Sequence, residues 1–229
     1  AFAKSLVGAL PGGLAHVNIV AAMLFGAIAG SAGAAAAAIG GFMSDKMEES
    51  GYDKGFGVAV NVTSATTGLV IPPSNIFIIY SVASGGVSIG ALFLAGYLPG
   101  IITGLFLMIV AYIWAKRKGY PTADRSSFKT ILTTFLNALP SLFLLIVVIG
   151  GIVAGIFTAT EASSVAVIYC LVLAMAYKEI SLKDIRPILV ESASTIAIVM
   201  LLIAVSISMS WVLSYENIPQ TVTQLLLGL

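Results

Sequence analysis

The chain of 229 residues is 59% hydrophobic and 9% charged, with a mean hydropathy of +1.07. That is too little polar surface to cover a water-soluble globule, so the sequence reads as an integral membrane protein. A formal charge of +1 gives no basic footprint for nucleic acid, and the single cysteine, Cys170, can form no intrachain disulfide and is read as a packing residue.

Ala1 to Leu10, with Lys4, reads as a short interfacial segment, and Pro11-Gly12-Gly13 as a turn. The opening lacks the basic start and apolar run of a signal peptide and also an initiator methionine, so the chain is expected to be part of a longer polypeptide. His16 heads the next helix, either as a hydrogen-bonded packing or capping residue or as a ligand or proton relay. Leu14 to Met43 is uncharged but interrupted at Gly26, Gly30, Ser31 and Gly33, before Ala34 to Ala38. Each half is short for a hydrocarbon core of ~30 Å at ~1.5 Å per residue. This predicts a re-entrant helical hairpin over about 14–43, with its tip at Gly30 to Gly33. The alternative is one long helix whose small face, with Gly26 and Gly30 at GxxxG spacing, admits a close neighbour.

Ser44 to Lys54 carries Asp45, Lys46, Glu48, Glu49, Asp53 and Lys54 and is expected in water. An uncharged run then extends from Gly55 to Ala115 and contains hydroxyls, Gly68 and the pair Pro72-Pro73 at membrane depth. Prolines donate no backbone hydrogen bond and clash with the preceding turn, which predicts a broken helix over about 55–82, with carbonyls near Thr67 to Leu69 freed. Such breaks are tolerated only where buried in protein or lining a wet cavity, as in ion and substrate sites of secondary transporters. After Ser84-Gly85-Gly86, a second span is expected over about 89–114. Lys116, Arg117, Lys118, Arg125 and Lys129, against Asp124, mark 116–129 as a basic cytoplasmic linker with Trp114 as interfacial anchor. Two spans separate this linker from the Ser44 to Lys54 loop, which parity places on the same side.

Thr130 to Tyr177 is apolar apart from Glu161 and reads as two crossings, followed by a loop from Lys178 to Arg186 and a last apolar run from Ser192 to Leu213 ending near Trp211, Tyr215 and Glu216. Thr158-Ala159-Thr160-Glu161 has the spacing of a capping box. The other reading of Glu161 is a functional carboxylate within the membrane. Gly150-Gly151 and Gly155 mark a break or a close approach. Asn61-Val62-Thr63 matches a glycosylation acceptor but lies in a membrane run and is set aside.

Several motifs together resemble one family. They are Leu10-Pro11-Gly12-Gly13-Leu14-Ala15-His16-Val17, Met23 to Ala32, Gly51-Tyr52-Asp53, Ile71-Pro72-Pro73-Ser74, Leu94 to Gly100, and Gly155 to Ala162 with Thr158, Thr160 and Glu161. In this order, covering nearly the whole chain, they are similar to the large membrane (M) subunit of TRAP transporters, the DctM-like family. The resemblance implies an all-α polytopic protein, an elevator-type, sodium-coupled transporter with inverted repeats, each with a helical hairpin and a broken helix. It implies no enzymatic activity. The implied partners are a small membrane (Q) subunit, a periplasmic substrate-binding (P) protein, an anionic carboxylate substrate such as sialic acid or a C4-dicarboxylate, and the lipid of a bacterial inner membrane. Residues 1–115 would be the later part of the first repeat and 130–229 the beginning of the second; the second hairpin and its double-proline break are not found here. The family often has a polar or acidic residue after Gly-Ser-Ala, where this chain has Gly33 and five alanines.

Carbonyls freed at a hairpin tip and a broken helix, with nearby hydroxyls, are hard oxygen donors suited to a dehydrated sodium ion, and half-helix N-termini suit a carboxylate. The expected sodium set is therefore Gly30, Ser31, Gly33, Ser64, Thr66, Thr67 and Gly68. The expected substrate set is Ser31, Pro72, Pro73, Ser74 and Asn75. The rival readings are an ion channel, which needs a continuous pore, and a structural subunit, which needs no hydroxyl-rich break. An intramembrane enzyme is disfavoured because the uncharged spans hold no catalytic pairing.

Overall fold

The computed structural model describes residues 1–122 and 126–227; Asp124 and Arg125 of the expected linker lie outside them. Among the described residues the secondary structure is helical throughout. Among these described residues four helices are long and apolar enough to cross a membrane, five if one bent pair counts as a span, so the chain is an all-α, multi-pass membrane protein. It divides into two compact units, Ala1–Ser81 with Val87–Cys170, and Val82–Gly86 with Leu171–Leu229.

The first unit opens with α1 (Phe2–Val7) and α2 (Gly13–Ala29). α2 stops at Gly30, whose left-handed φ of 61° is open to glycine at no steric cost, and Ser31 caps the next helix by accepting the Ala34 N–H at 3.3 Å. That helix, α3 (Ala32–Glu49), returns along α2, with Leu14, Val17 and Ala21 packed near Ile39 and Met43. The turn is tighter than the sequence suggests. It occupies Gly30 and Ser31 only, and Gly33 is already inside α3. The charged stretch is also more regular than expected, because Ser44–Glu49 forms the last turns of α3 rather than a loop.

α4 (Lys54–Ala65) is capped by Asp53, whose carboxylate accepts the Phe56 N–H at 3.0 Å. A one-turn α5 (Thr67–Val70) follows, and after Ile71–Ser74 the chain resumes as α6 (Asn75–Ala83), bent by 49° from the α4–α5 axis. α7 (Ile89–Lys118) crosses next and carries its basic residues Lys116, Arg117 and Lys118 in its last turn, complementary to the helix dipole. α8 (Phe128–Val153) and α9 (Ala159–Ala176) pack against the first half of α7 through Phe93, Leu144, Val148 and Ala162. Between α8 and α9, Ile156 N–H returns to the Gly151 carbonyl at 2.9 Å and the Phe157 ring lies over Gly151, where no side chain stands in its way.

At one end of this unit the turn after α3 is bound to the segment after α7. Tyr52 stacks on Tyr120 with centroids 4.4 Å apart, Tyr52 Oη donates to the Pro121 carbonyl at 3.3 Å, and Asp53 N–H donates to Tyr120 Oη at 3.1 Å. The two segments that charge and span parity assign to one side are thus hydrogen-bonded neighbours.

The second unit holds the end of α9, a turn in which Ser181 Oγ and N–H both bind the Asp184 carboxylate, then α10 (Ile185–Tyr215) and α11 (Ile218–Leu227). α10 begins well before the expected Ser192. It buries no residue, as suits a helix whose apolar side chains face lipid or further protein. Trp211 and Tyr215 stack near its end at 5.5 Å.

Candidate functional site: the hairpin tip against the proline break

The hairpin tip and the broken helix meet directly. The Gly30 carbonyl accepts the Asn75 N–H at 3.3 Å, and a methyl group on Gly30 would lie 2.8 Å from the Pro73 carbonyl oxygen. One turn back along α2, Gly26 faces Gly68 so closely that a methyl at Gly26 would stand 2.2 Å from the Gly68 Cα. The other side of the break is cradled by α7. Its glycines Gly96, Gly100 and Gly104 share one face at four-residue spacing and lie against Val70 and Phe77, against Ile71, and against Met23 respectively. The break is therefore held between two glycine surfaces, which let backbones approach without intervening side chains. The sequence shows the second surface as a GxxxGxxxG run, a signal the reading by break and charge passed over.

The prolines free fewer carbonyls than expected. Thr67 O accepts the Ile71 N–H at 2.9 Å, and Leu69 O is taken by the Ser74 hydroxyl. At Gly68 the residue four positions on is Pro72, which has no N–H to donate. Of the expected sodium residues, Gly30, Ser31 and Gly68 lie at or beside the tip–break contact. Ser64 and Thr67 are fully buried below it, joined by the Thr67 Oγ1–H bond to Ser64 O at 2.6 Å. Thr66 does not join them. It is exposed, its hydroxyl donates to Thr63 O at 2.7 Å, and helical geometry turns it away from its buried neighbour Thr67.

Of the expected substrate residues, Pro72 and Ser74 are buried and Ser31 is half-buried. Pro73 and Asn75 line a cleft of about 280 Å³ whose further walls include Ile28, Leu144, Val148 and Ser163. Glu161 is accounted for by the capping box: the Thr158 N–H and hydroxyl each bind its carboxylate at 2.8 Å, and Glu161 N–H returns to Thr158 Oγ1 at 3.3 Å. His16 is buried, with Nδ1 3.1 Å from the Gly12 carbonyl and its ring edge-on to Tyr112, as a packing and capping residue would be. Cys170 is exposed on α9 rather than packed. Asn18 and Asn61 also enter the buried polar layer. Asn18 Nδ2 donates to Ser64 Oγ at 3.4 Å and Asn61 Nδ2 to Ala36 O at 3.2 Å. Neither belongs to the expected sodium or substrate sets; the signal in the sequence is an asparagine within an uncharged apolar run.

Over residues 1–229 the sequence matches the family described as "Tripartite ATP-independent periplasmic transporter, DctM component". A Salmonella typhimurium protein named only as uncharacterized protein YgiK is 53% identical over 224 residues, covering 98% of this chain and 52% of the relative. The C4-dicarboxylate TRAP transporter large permease protein DctM of Pseudomonas aeruginosa is 38% identical, covering 96% of this chain and 52% of the relative. The sialic acid TRAP transporter large permease protein SiaM of Vibrio cholerae is likewise 38% identical, with 96% and 51% covered. The chain thus spans about half the length of these curated relatives.

Proposed function

Because this chain belongs to the DctM family of tripartite ATP-independent periplasmic transporter components, we propose that it forms part of the large membrane subunit of a sodium-coupled secondary transporter that imports an organic acid. The observation that carries the reading is the tip-on-break contact, where Gly30 O meets Asn75 N–H and Gly26 meets Gly68. Two discontinuous helices joined backbone to backbone inside a membrane protein present carbonyl oxygen and buried hydroxyls to a cation. In this reading sodium is held by Gly30, Ser31, Gly68 and the Ser64–Thr67 layer, while Pro73 and Asn75 face a carboxylate substrate in the adjoining cleft. Relatives named for C4-dicarboxylates and for sialic acid support a carboxylate-bearing cargo.

The hairpin and broken helix would move together as the carrier part of an elevator, within the first of two inverted repeats, in a bacterial inner membrane. A small membrane subunit and a periplasmic binding protein complete the assembly. The test is uptake into proteoliposomes by the complete complex. Saturable, sodium-dependent accumulation that requires the binding protein is expected. An ohmic current independent of the binding protein would instead favour a channel and overturn the proposal.

A further inference from the structure

Donor and acceptor counting in the hairpin core points to a second oxygen-rich layer below the tip. Ser64 gives its one hydroxyl proton to the Asn61 carbonyl at 3.1 Å, so toward Asn18 it can only accept. That fixes the Asn18 amide with Nδ2 toward Ser64, at 3.4 Å, and Oδ1 turned away. In the same manner the Ala36 carbonyl can only accept, which fixes Asn61 Nδ2 toward it and Oδ1 away. Thr67 spends its hydroxyl proton on Ser64 O. Asn18, Ser64 and Thr67 are each 0% exposed. Two amide oxygens are buried without a hydrogen-bond donor: Asn18 Oδ1, and Asn61 Oδ1 three residues before Ser64, where the Asn61 amide lies against Ala36 and Gly40 of α3. Buried acceptors without donors are rare, and each asks for an explanation.

The layer thus has its hydroxyl protons committed and lone pairs to spare, where α2, α3 and α4 pack together with the start of α5. An excess of hard oxygen acceptors over donors is an environment that favours a positive charge. We propose that Asn18, with Asn61 and the Ser64–Thr67 pair, forms a buried monovalent-cation site one layer below the tip–break contact, with Asn18 Oδ1 as a ligand that sets its affinity. This inference rests on the sodium-coupled reading, shares the Ser64–Thr67 pair with it, and adds Asn18 and Asn61, which that reading does not include.

The test uses the intact permease, purified in detergent, with sodium chloride as probe and choline chloride as control. The readout is the cation-induced rise in thermal midpoint, titrated to give a half-saturating concentration. Asn18→Leu, which keeps the volume but removes the oxygen, is expected to raise that concentration at least tenfold. Asn18→Asp, nearly isosteric and negatively charged, is expected to lower it several-fold. Should the leucine variant fail to fold, the aspartate variant decides. Half-saturation within twofold of the parent for Asn18→Asp overturns the site while leaving sodium coupling at the break intact. A parent protein that responds equally to sodium and choline overturns both.

Discussion

Gly26 and Gly68 touch through their backbones alone: a methyl group on Gly26 would lie 2.2 Å from the Gly68 Cα, and one on Gly68 would lie 2.8 Å from the Gly26 Cα. This contact sets the separation between the descending arm of the hairpin and the helix before the break. One turn further on, at the tip, Asn75 N–H donates to Gly30 O at 3.3 Å.

Gly26→Ala and Gly68→Ala should each destabilise the protein by about 1–3 kcal/mol, the usual cost of overpacking, because backbone must move to admit the methyl. Gly41→Ala provides the contrast: it meets nothing within 4 Å and should be neutral or gain up to about 1 kcal/mol of helix propensity. Chemical or thermal unfolding in detergent measures both, and equal effects at the three positions would contradict the packing account.

Two adjacent threonines should behave differently. Thr67 is fully buried with its hydroxyl on Ser64 O, whereas Thr66 is exposed with its hydroxyl on Thr63 O. Thr67→Val is expected to shift the sodium activation curve of uptake to higher concentration by tenfold or more. Thr66→Val should leave the curve in place. Identical curves for parent and Thr67→Val would remove that hydroxyl from the ion site.

Replacing Pro72 and Pro73 together by alanine should restore N–H donors to the Gly68 and Leu69 carbonyls and straighten the 49° bend. Folded yield is expected to hold while sodium-dependent uptake is lost. Retained uptake with an unchanged sodium curve would show that the break is a packing device only.

The clasp between the hairpin end and the α7 terminus makes a prediction about sidedness. Cysteines at Glu49 and Lys118 should react with membrane-impermeant thiol reagents from the same face, which the positive-inside rule makes the cytoplasmic one, and Lys183 should follow. Tyr120→Ala, which removes two ring contacts and the acceptor for Asp53 N–H, should destabilise by about 1–3 kcal/mol, since each aromatic pair contributes roughly 0.5–1.5 kcal/mol. Labelling of Glu49 and Lys118 from opposite faces would refute the arrangement.

Asp184 provides a pH test outside the spans. The hydroxyl and N–H of Ser181 hold its carboxyl below the ordinary value of 3.8. A depressed folded value contributes stability above the unfolded pKa and loses it as pH falls through the folded one, so the turn should loosen only in acid below about pH 4. Ser181→Ala should move the Asp184 titration up toward its ordinary value by carboxyl-resolved NMR. An unmoved titration would mean that Ser181 is not the cause.

Much of the fold was legible because membrane helices announce themselves by length and charge, and because proline and glycine act locally. The hairpin, the break, the two later crossings and the Glu161 capping box all follow from such short-range signals. The composition of the site was less legible. Thr66 and Thr67 are equivalent in sequence, and only the direction of α2 past α5 decides which is buried. The competition for carbonyls at Thr67 and Leu69 was settled by Ile71 N–H and the Ser74 hydroxyl, partners that a count of proline's missing donors leaves out. Asn18 sits 46 residues from Ser64 along the chain, so their pairing is a tertiary fact that no local pattern carries.

The pair of glycine surfaces around the break inverts the usual relation between chemistry and tolerance to change. In most binding sites the residues that resist substitution are those with the richest side chains. Here the exposed hydroxyls of Thr63 and Thr66 should be exchangeable at little cost, while Gly26, Gly30, Gly68 and Gly96 have backbone or ring atoms within 3 Å of any added carbon. A saturation scan would trace the site as a line of residues that bear no functional group at all. Its outline is drawn by volume that must stay empty of side chains, and a search for reactive groups would pass it by.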